Sequence, residues 1–179
     1  MNNEKKLFGR SIFLKLVSED DASFIYSLRN NNKLNKYLSK TDGNIIDQLN
    51  WIKKYKKREK ENLEYYFKIK RIDNNIDIGT VRLYDFKDNP KSFCWGSWIL
   101  TENKTPNSAI ESALLVYKFA FDEKNFEQSH FDVRKENEKV ISFHKKLGAK
   151  IINEDDLNYY FTYQNEDYNK ISNIYNKFI

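Results

Sequence analysis

The chain has a single cysteine, Cys94, among 179 residues. One thiol can neither close an internal disulfide nor assemble a cysteine-rich metal site, which excludes structural zinc and agrees with a reducing compartment. Cys94 also lies in the middle of an expected strand with no identifiable base partner, so neither Cys-His nor Ser-His-Asp nucleophilic machinery is supported. No apolar run approaches the roughly 20 residues that a membrane-spanning helix needs. The opening segment MNNEKKLFGR lacks the hydrophobic centre of a secretory signal. A cytoplasmic protein without a membrane span is therefore expected. Internal repeats, low-complexity tracts and linkers are missing as well, and the length fits one domain over 1–179.

What is present suffices for a core. Hydrophobic residues make up 40% of the chain and aromatic ones 16%, against 32% charged and a mean hydropathy of −0.81. That apolar area argues against disorder. The net charge is +5, a modest excess that favours anionic ligands such as nucleotides and phosphates without demanding nucleic acid. The densest basic run, Lys53, Lys54, Lys56, Lys57, Arg58 and Lys60, is followed by acids and an apolar strand. It reads as a solvated helix end, with nucleic-acid contact as the other reading.

Periodicity orders the elements. Ile12–Val17 reads as a strand, and Ser18 with Asp21 caps a helix whose inward face carries Ala22, Ile25 and Leu28. Arg29–Asn35 breaks that pattern, Thr41–Asn44 turns, and Ile45, Leu49 and Ile52 start a second helix with Trp51 beside them. Tyr65, Phe67 and Ile69 alternate with Tyr66, Lys68 and Lys70. Asp73–Asn75 then turn the chain into Ile76–Tyr84, and Asp88–Pro90 turn it again into Phe93–Leu100, where Gly96 marks a bulge. Beyond Pro106, Ile110, Leu114, Tyr117 and Phe121 form one helical stripe, widened by Ala113, Val116 and Ala120. His130–Val133 is a short strand, and Val140, Phe143 and Leu147 face a helix that stops at Gly148. Strands at Ile151 and Tyr159–Tyr163 follow, then helical spacing through Tyr168, Ile171, Tyr175 and Phe178.

The most informative stretch runs from Val133 through Asn137, Lys139, Val140, Phe143, His144, Leu147 and Gly148 to Lys150. It resembles the last conserved segment of GNAT-type acetyl-CoA-dependent N-acetyltransferases: strand, asparagine, then a helix ending in an aromatic pair and Lys-Leu-Gly. Trp95-Gly96-Ser97-Trp98-Ile99-Leu100 looks like that family's splayed strand, and the likeness spans the chain from about residue 20 to Ala149. The resemblance implies a mixed α/β (α+β) fold. Its central, mostly antiparallel sheet has six to seven strands and a V-shaped splay, flanked by four or more helices. It also implies acetyl-CoA as co-substrate and no metal.

In such chemistry an amine attacks a thioester directly, so the protein must align the reactants, offer a donor to the oxyanion and help the thiolate leave. Main-chain groups left unpaired by a bulged strand supply much of this. The resemblance places that surface at Trp98, Ile99 and Leu100, whose side chains also read as ordinary strand core. Phosphates suit the helix start at Asn107, Ser108 and Ala109. Here the chain departs from the family, with Asn107 and Ala109 standing where glycines are usual. Ser108 and Glu111 have the spacing of a capping box; Glu111 is either that cap, a base toward the substrate amine, or neither. Asn137 is an N-cap or a contact to the cofactor arm, and by resemblance Lys139 and Phe143 flank the same arm. His144 stands where most relatives carry a tyrosine that protonates the departing thiolate. It reads as a boundary residue or as a catalytic acid or base.

Leu28-Arg29-Asn30, Gln48-x-x-Trp51 and the Phe143-His144 segment are most similar to the RimJ/RimL-like branch that acetylates nucleotide-linked aminosugars. On that likeness Arg29, Asn30, Gln48 and Trp51 contact substrate, with packing the other reading for Trp51, and Arg29 suits a diphosphate or carboxylate. The expected reaction moves acetyl from acetyl-CoA to the amine of a nucleotide-linked deoxyamino sugar, in surface-polysaccharide or flagellin-sugar synthesis. The alternatives are N-terminal acetylation of a protein, a non-catalytic acyl-CoA-binding or interaction domain, and a basic RNA-binding accessory protein. The aromatic C-terminal segment leaves a homodimer open.

Overall fold

A computed structural model describes residues 5–38 and 43–179; the turn expected over Thr41–Asn44 lies partly outside the described residues. The elements run β1 (Lys6–Phe8), β2 (Ile12–Leu16), α1 (Ala22–Arg29), α2 (Ile45–Lys60), β3 (Tyr65–Arg71), β4 (Asp77–Asp88), β5 (Lys91–Leu100), α3 (Ser108–Lys118), β6 (Gln128–Arg134), α4 (Glu138–Leu147), β7 (Lys150–Glu154), β8 (Asn158–Gln164) and α5 (Asn165–Tyr175). One mixed sheet of eight strands has the order β1-β2-β3-β4-β5-β6-β8-β7. Every pairing is antiparallel except that of β5 with β6. The sheet thus has one strand more than the six to seven expected. The extra strand is β1, three residues of which only Leu7 is buried, too short to show an alternation.

The two faces of the sheet carry separate cores. Tyr65, Phe67 and Ile69 of β3 join α3, α4 and α5 in the larger cluster, while Tyr66 joins Val17, Ala22, Ile25, Ile52 and Tyr55 under α1 and α2. Alternation at period two sends neighbouring residues to opposite sides. Phe67 meets Phe119 edge-on at 5.2 Å, a geometry that adds about 0.5–1.5 kcal/mol to simple burial. Lys68 reaches the second face, where burial would lower its pKa; its hydrogen bonds to Asp21 and Asp77 prevail and raise it.

Two local departures shape the site. Between β4 and β5 the register shifts between Thr80 and Arg82 and again between Tyr84 and Lys87, and Ser97 adopts φ 46°. This is the bulge signalled by Gly96, where a side chain would press on the Tyr84 hydroxyl at 3.0 Å. Between β5 and β6 only two positions pair, Ser92 with Gln128 and Phe93 with Ser129. Beyond them the strands part into the expected splay, and the β6-facing edge of residues 94–100 has no strand partner among the described residues.

A polar chain that sequence reasoning did not foresee fastens the vertex of this V. His130 Nδ1 lies 2.5 Å from Ser92 Oγ, and its Nε2 lies 2.9 Å from an Asp85 carboxylate oxygen. Ser92 is 1% exposed, so this Ser-His-Asp set is closed to substrate and acts as a clasp between strands. The His130 contact holds the Asp85 carboxyl below the usual range.

Candidate active site

The splay opens a cleft of about 270 Å³ whose walls include Gly96, Ser97 and Trp98 of β5, Phe131, Asp132, Val133 and Arg134 of β6, and Asn137, Val140 and His144 at α4. Asn137 occupies the N-cap position of α4 but makes no side-chain cap hydrogen bond. Its amide is therefore not spent on the helix. The helix ends as expected at Gly148, with φ 101°.

His144 lies one helical turn after Val140 and is 3% exposed. Trp95, Trp98, Phe131, Phe143 and Phe161 surround it, the closest ring being Phe131 at 4.4 Å between centroids. Its Nδ1 has no hydrogen-bond partner among the described residues, and burial pushes its pKa down to about 3. At neutral pH the imidazole is uncharged. It is then no protonated acid, and its desolvated aromatic cage opposes the imidazolium that a base would become; what remains is a hydrogen-bonding group held against the cleft.

Trp98 lines the cleft while its Nε1 donates to Ser112 Oγ at 3.1 Å and its ring packs on Phe143 at 5.2 Å. Packing and cleft-lining coincide in this residue. Ile99 and Leu100 pair with Thr80 and Gly79, Ile99 is buried, and neither forms a wall of the cleft. Lys139 is exposed, and neither it nor Phe143 forms a wall of the cleft.

At the start of α3, Asn107 is the N-cap with no side-chain cap bond. Buried Ser108 accepts a hydrogen bond from the Thr105 N–H at 2.8 Å through its Oγ. The Ser108 N–H goes to the Thr105 carbonyl and that of Glu111 to Asn107. Among the described residues this leaves the first-turn N–H groups of Ala109 and Ile110 open, which suits a phosphate.

The Ser108–Glu111 capping box does not form, and Glu111 is not in the cleft. Its carboxylate turns away and accepts from Ser11 N at 2.8 Å, Ser11 Oγ at 2.5 Å and Ile12 N at 3.2 Å. At 1% exposure it ties α3 to the β1–β2 turn, so the base role expected of Glu111 gives way to a structural one. The sequence could not show this, because Ser11 lies a hundred residues away.

On the other side of the bulge, Arg29, Gln48, Trp51, Tyr66, Arg82 and Ser97 line a second cavity of about 110 Å³, which shares Ser97 with the cleft. Asn30 lines an adjoining hollow with Gln48 and Trp51. The four expected substrate residues thus lie along two adjoining cavities that share Gln48 and Trp51. Trp51 is also packed, stacked on Tyr55 at 5.9 Å with the Arg58 and Arg82 guanidiniums 5.5 and 5.0 Å from its ring centre. Arg82, Tyr66 and Ser97 were missed, since each reads as an ordinary strand residue. Arg82 and Arg58 each donate to Glu64 at 2.7 Å. Burial pushes the Glu64 carboxyl up, but the two guanidiniums together hold it below the usual range.

The unpaired edge of β5, the open N–H groups at α3 and the uncommitted Asn137 amide fit an extended thioester arm with a phosphate end. Residues 11–150 match the family model described as an acetyltransferase (GNAT) domain; the chain belongs to this family and is an acetyl-CoA-dependent acetyltransferase. Among solved structures it is similar to apo FdhC, described as a nucleotide-linked sugar GNAT, with 54% identity, TM-score 0.92 and 98% of each chain covered. More distant are a ribosomal-protein-S5-alanine acetyltransferase from Vibrio fischeri, at 17% identity, TM-score 0.80 and coverage of 92% and 99%, and a spermidine N-acetyltransferase from Vibrio cholerae in complex with CoA and spermine, at 20% identity, TM-score 0.72 and coverage of 88% and 98%. Those two show the fold alone. No curated protein matches the chain.

Proposed function

We propose that the protein acetylates the amino group of a nucleotide-linked deoxyamino sugar by direct attack in a ternary complex. The observation that carries this reading is the groove with Arg29 and Arg82 in its wall, continuous at Ser97 with the thioester cleft. Two guanidiniums beside an amide-bearing residue, Gln48, match a diphosphate and its neighbouring polar groups. The same two cations disfavour a polyamine, and the likeness to a nucleotide-linked sugar GNAT at 54% identity points the same way.

Acetyl-CoA supplies the activated acyl group. The unpaired main-chain edge of residues 96–100 holds the thioester arm, with the Asn137 side chain as a further contact. The N–H groups of Ala109 and Ile110 hold phosphate, and the absence of the usual glycines does not close them. His144, neutral in its aromatic cage, offers an N–H to the departing sulfur while Trp98 and Phe131 exclude water. The matching test is a thiol-release screen over nucleotide-linked aminosugars, spermidine and an alanine-starting peptide. Turnover confined to the aminosugar nucleotides is expected; turnover on the peptide alone, or on no amine at all, overturns the reading.

A further inference from the structure

With His144 neutral and Glu111 committed elsewhere, the acceptor amine still needs a group to take its proton. An amine enters as an ammonium ion at neutral pH and must lose a proton before its lone pair can attack. Among the described residues the cleft wall contains one carboxylate, that of Asp132. Phe131 and Val133, its neighbours on β6, are buried toward α4, whereas Asp132 is exposed. Alternation along the strand therefore sets Asp132 on the opposite side of the splay from His144.

The surroundings of Asp132 are specific. Its carboxylate makes no hydrogen bond or ion pair among the described residues, unlike Asp21, Asp77, Asp85 and Glu64. Burial raises the pKa values of Tyr84 of β4 and Cys94 of β5, and the hydrogen bond to Asp155 raises that of Tyr160 of β8; the Asp132 charge adds to each of the three as a smaller cause. His130 and Arg134 share its face of β6, and Tyr160 is its ladder partner on β8. The Tyr84 hydroxyl sits over Gly96, where the strand bulges, next in sequence to Ser97, at which the cleft that Asp132 lines meets the arginine-lined groove.

We propose that Asp132 is the catalytic residue that anchors the acceptor ammonium and removes its proton, on the sheet face opposite His144. This rests on the reading of the protein as an aminosugar N-acetyltransferase. In the step, one N–H proton passes to the Asp132 carboxylate and the freed nitrogen forms the C–N bond at the acyl carbon. The C–S bond breaks, and a second proton from the nitrogen goes to the departing thiolate. Asp132 then returns its proton to solvent. The products are the acetamido sugar, free CoA and one proton.

The test compares wild type with Asp132→Asn and Asp132→Glu, using the aminosugar nucleotide that the screen shows to be turned over best. Asp132→Asn is expected to lower kcat/KM at least a hundredfold at pH 7, with the Kd for acetyl-CoA within twofold of wild type. That deficit narrows about tenfold per pH unit up to pH 9, because free amine accumulates with hydroxide; Asp132→Glu restores part of the rate. Calorimetry gives a second readout: wild type prefers the amino sugar over its hydroxyl counterpart by roughly tenfold, as an ion-assisted hydrogen bond requires, and Asp132→Asn loses the preference. A deficit independent of pH, or a preference that survives in Asp132→Asn, overturns the assignment. A wild type that turns over no aminosugar shows, before any variant is made, that the underlying reading has failed.

Discussion

The buried imidazole makes a prediction that needs no substrate. His144 has an ordinary pKa of 6.5 and a folded-state value of about 3, lowered by desolvation alone. Between these values the unfolded chain binds one proton more than the folded one, so stability rises with pH and is lost as pH falls from 6.5 toward 3. At pH 5.0 the gap from 6.5 spans one and a half pH units, and at ~1.36 kcal/mol per unit the loss is about 2 kcal/mol. At pH 7.5 it is negligible. Replacing the group by His144→Phe removes the titration and leaves every other ionisable residue in place, so their pH dependence cancels in the comparison. Urea unfolding followed by tryptophan fluorescence at pH 7.5 and 5.0 should show wild type losing about 2 kcal/mol more than the variant. With a slope of ~2 kcal/mol per molar, that is a displacement of roughly 1 M in the urea midpoint. If the two proteins move in parallel between the two pH values, His144 is hydrated or hydrogen-bonded in the folded chain and the account of its neutrality is wrong.

Three further outcomes follow from the site. Arg29→Met is expected to raise KM for the nucleotide-linked substrate at least tenfold while leaving the acetyl-CoA Kd unchanged by calorimetry; an unaltered KM removes the arginine from the diphosphate site. Ala109→Asp sets a carboxylate against the open N–H groups of α3 and should weaken acetyl-CoA binding at least tenfold, about 1.4 kcal/mol; equal affinity excludes that helix start. Glu111→Gln disturbs three hydrogen bonds and should cost about 1–3 kcal/mol in thermal or urea unfolding, with turnover per folded molecule within threefold of wild type. A large loss of turnover at unchanged stability would return Glu111 to the reaction.

Strong periodicity made most elements legible. The stripe Leu114, Tyr117 and Phe121 is buried as the spacing required, and β3 alternates between two cores because its side chains are large and apolar on both faces. Gly96 signalled the bulge, whereas the splay was readable only through likeness, since no local pattern says that two strands part. Weak local signals explain the omissions: β1 is three residues long, and Arg82 and Tyr66 look like ordinary strand residues until α2 folds over them. The functions of Glu111 and His130 depend on partners at long range, Ser11 and Ile12 for one, Ser92 and Asp85 for the other. Spacing along the chain cannot encode such contacts, so the capping box looked right in sequence while the carboxylate had a stronger destination.

The seam between β5 and β6 divides the sheet into a block of five strands and a block of three, joined by two ladder positions and the His130 clasp. On the proposed reading, an extended thioester arm in that seam would take the place of a ninth strand, sharing hydrogen bonds that none of the described strands provides there. Filling the seam therefore welds the blocks together, and the amides of residues 94–100 should exchange with solvent far more slowly once it is filled. On that reading, release of free CoA would reopen a fracture line, tying the turnover cycle to the cohesion of the whole sheet.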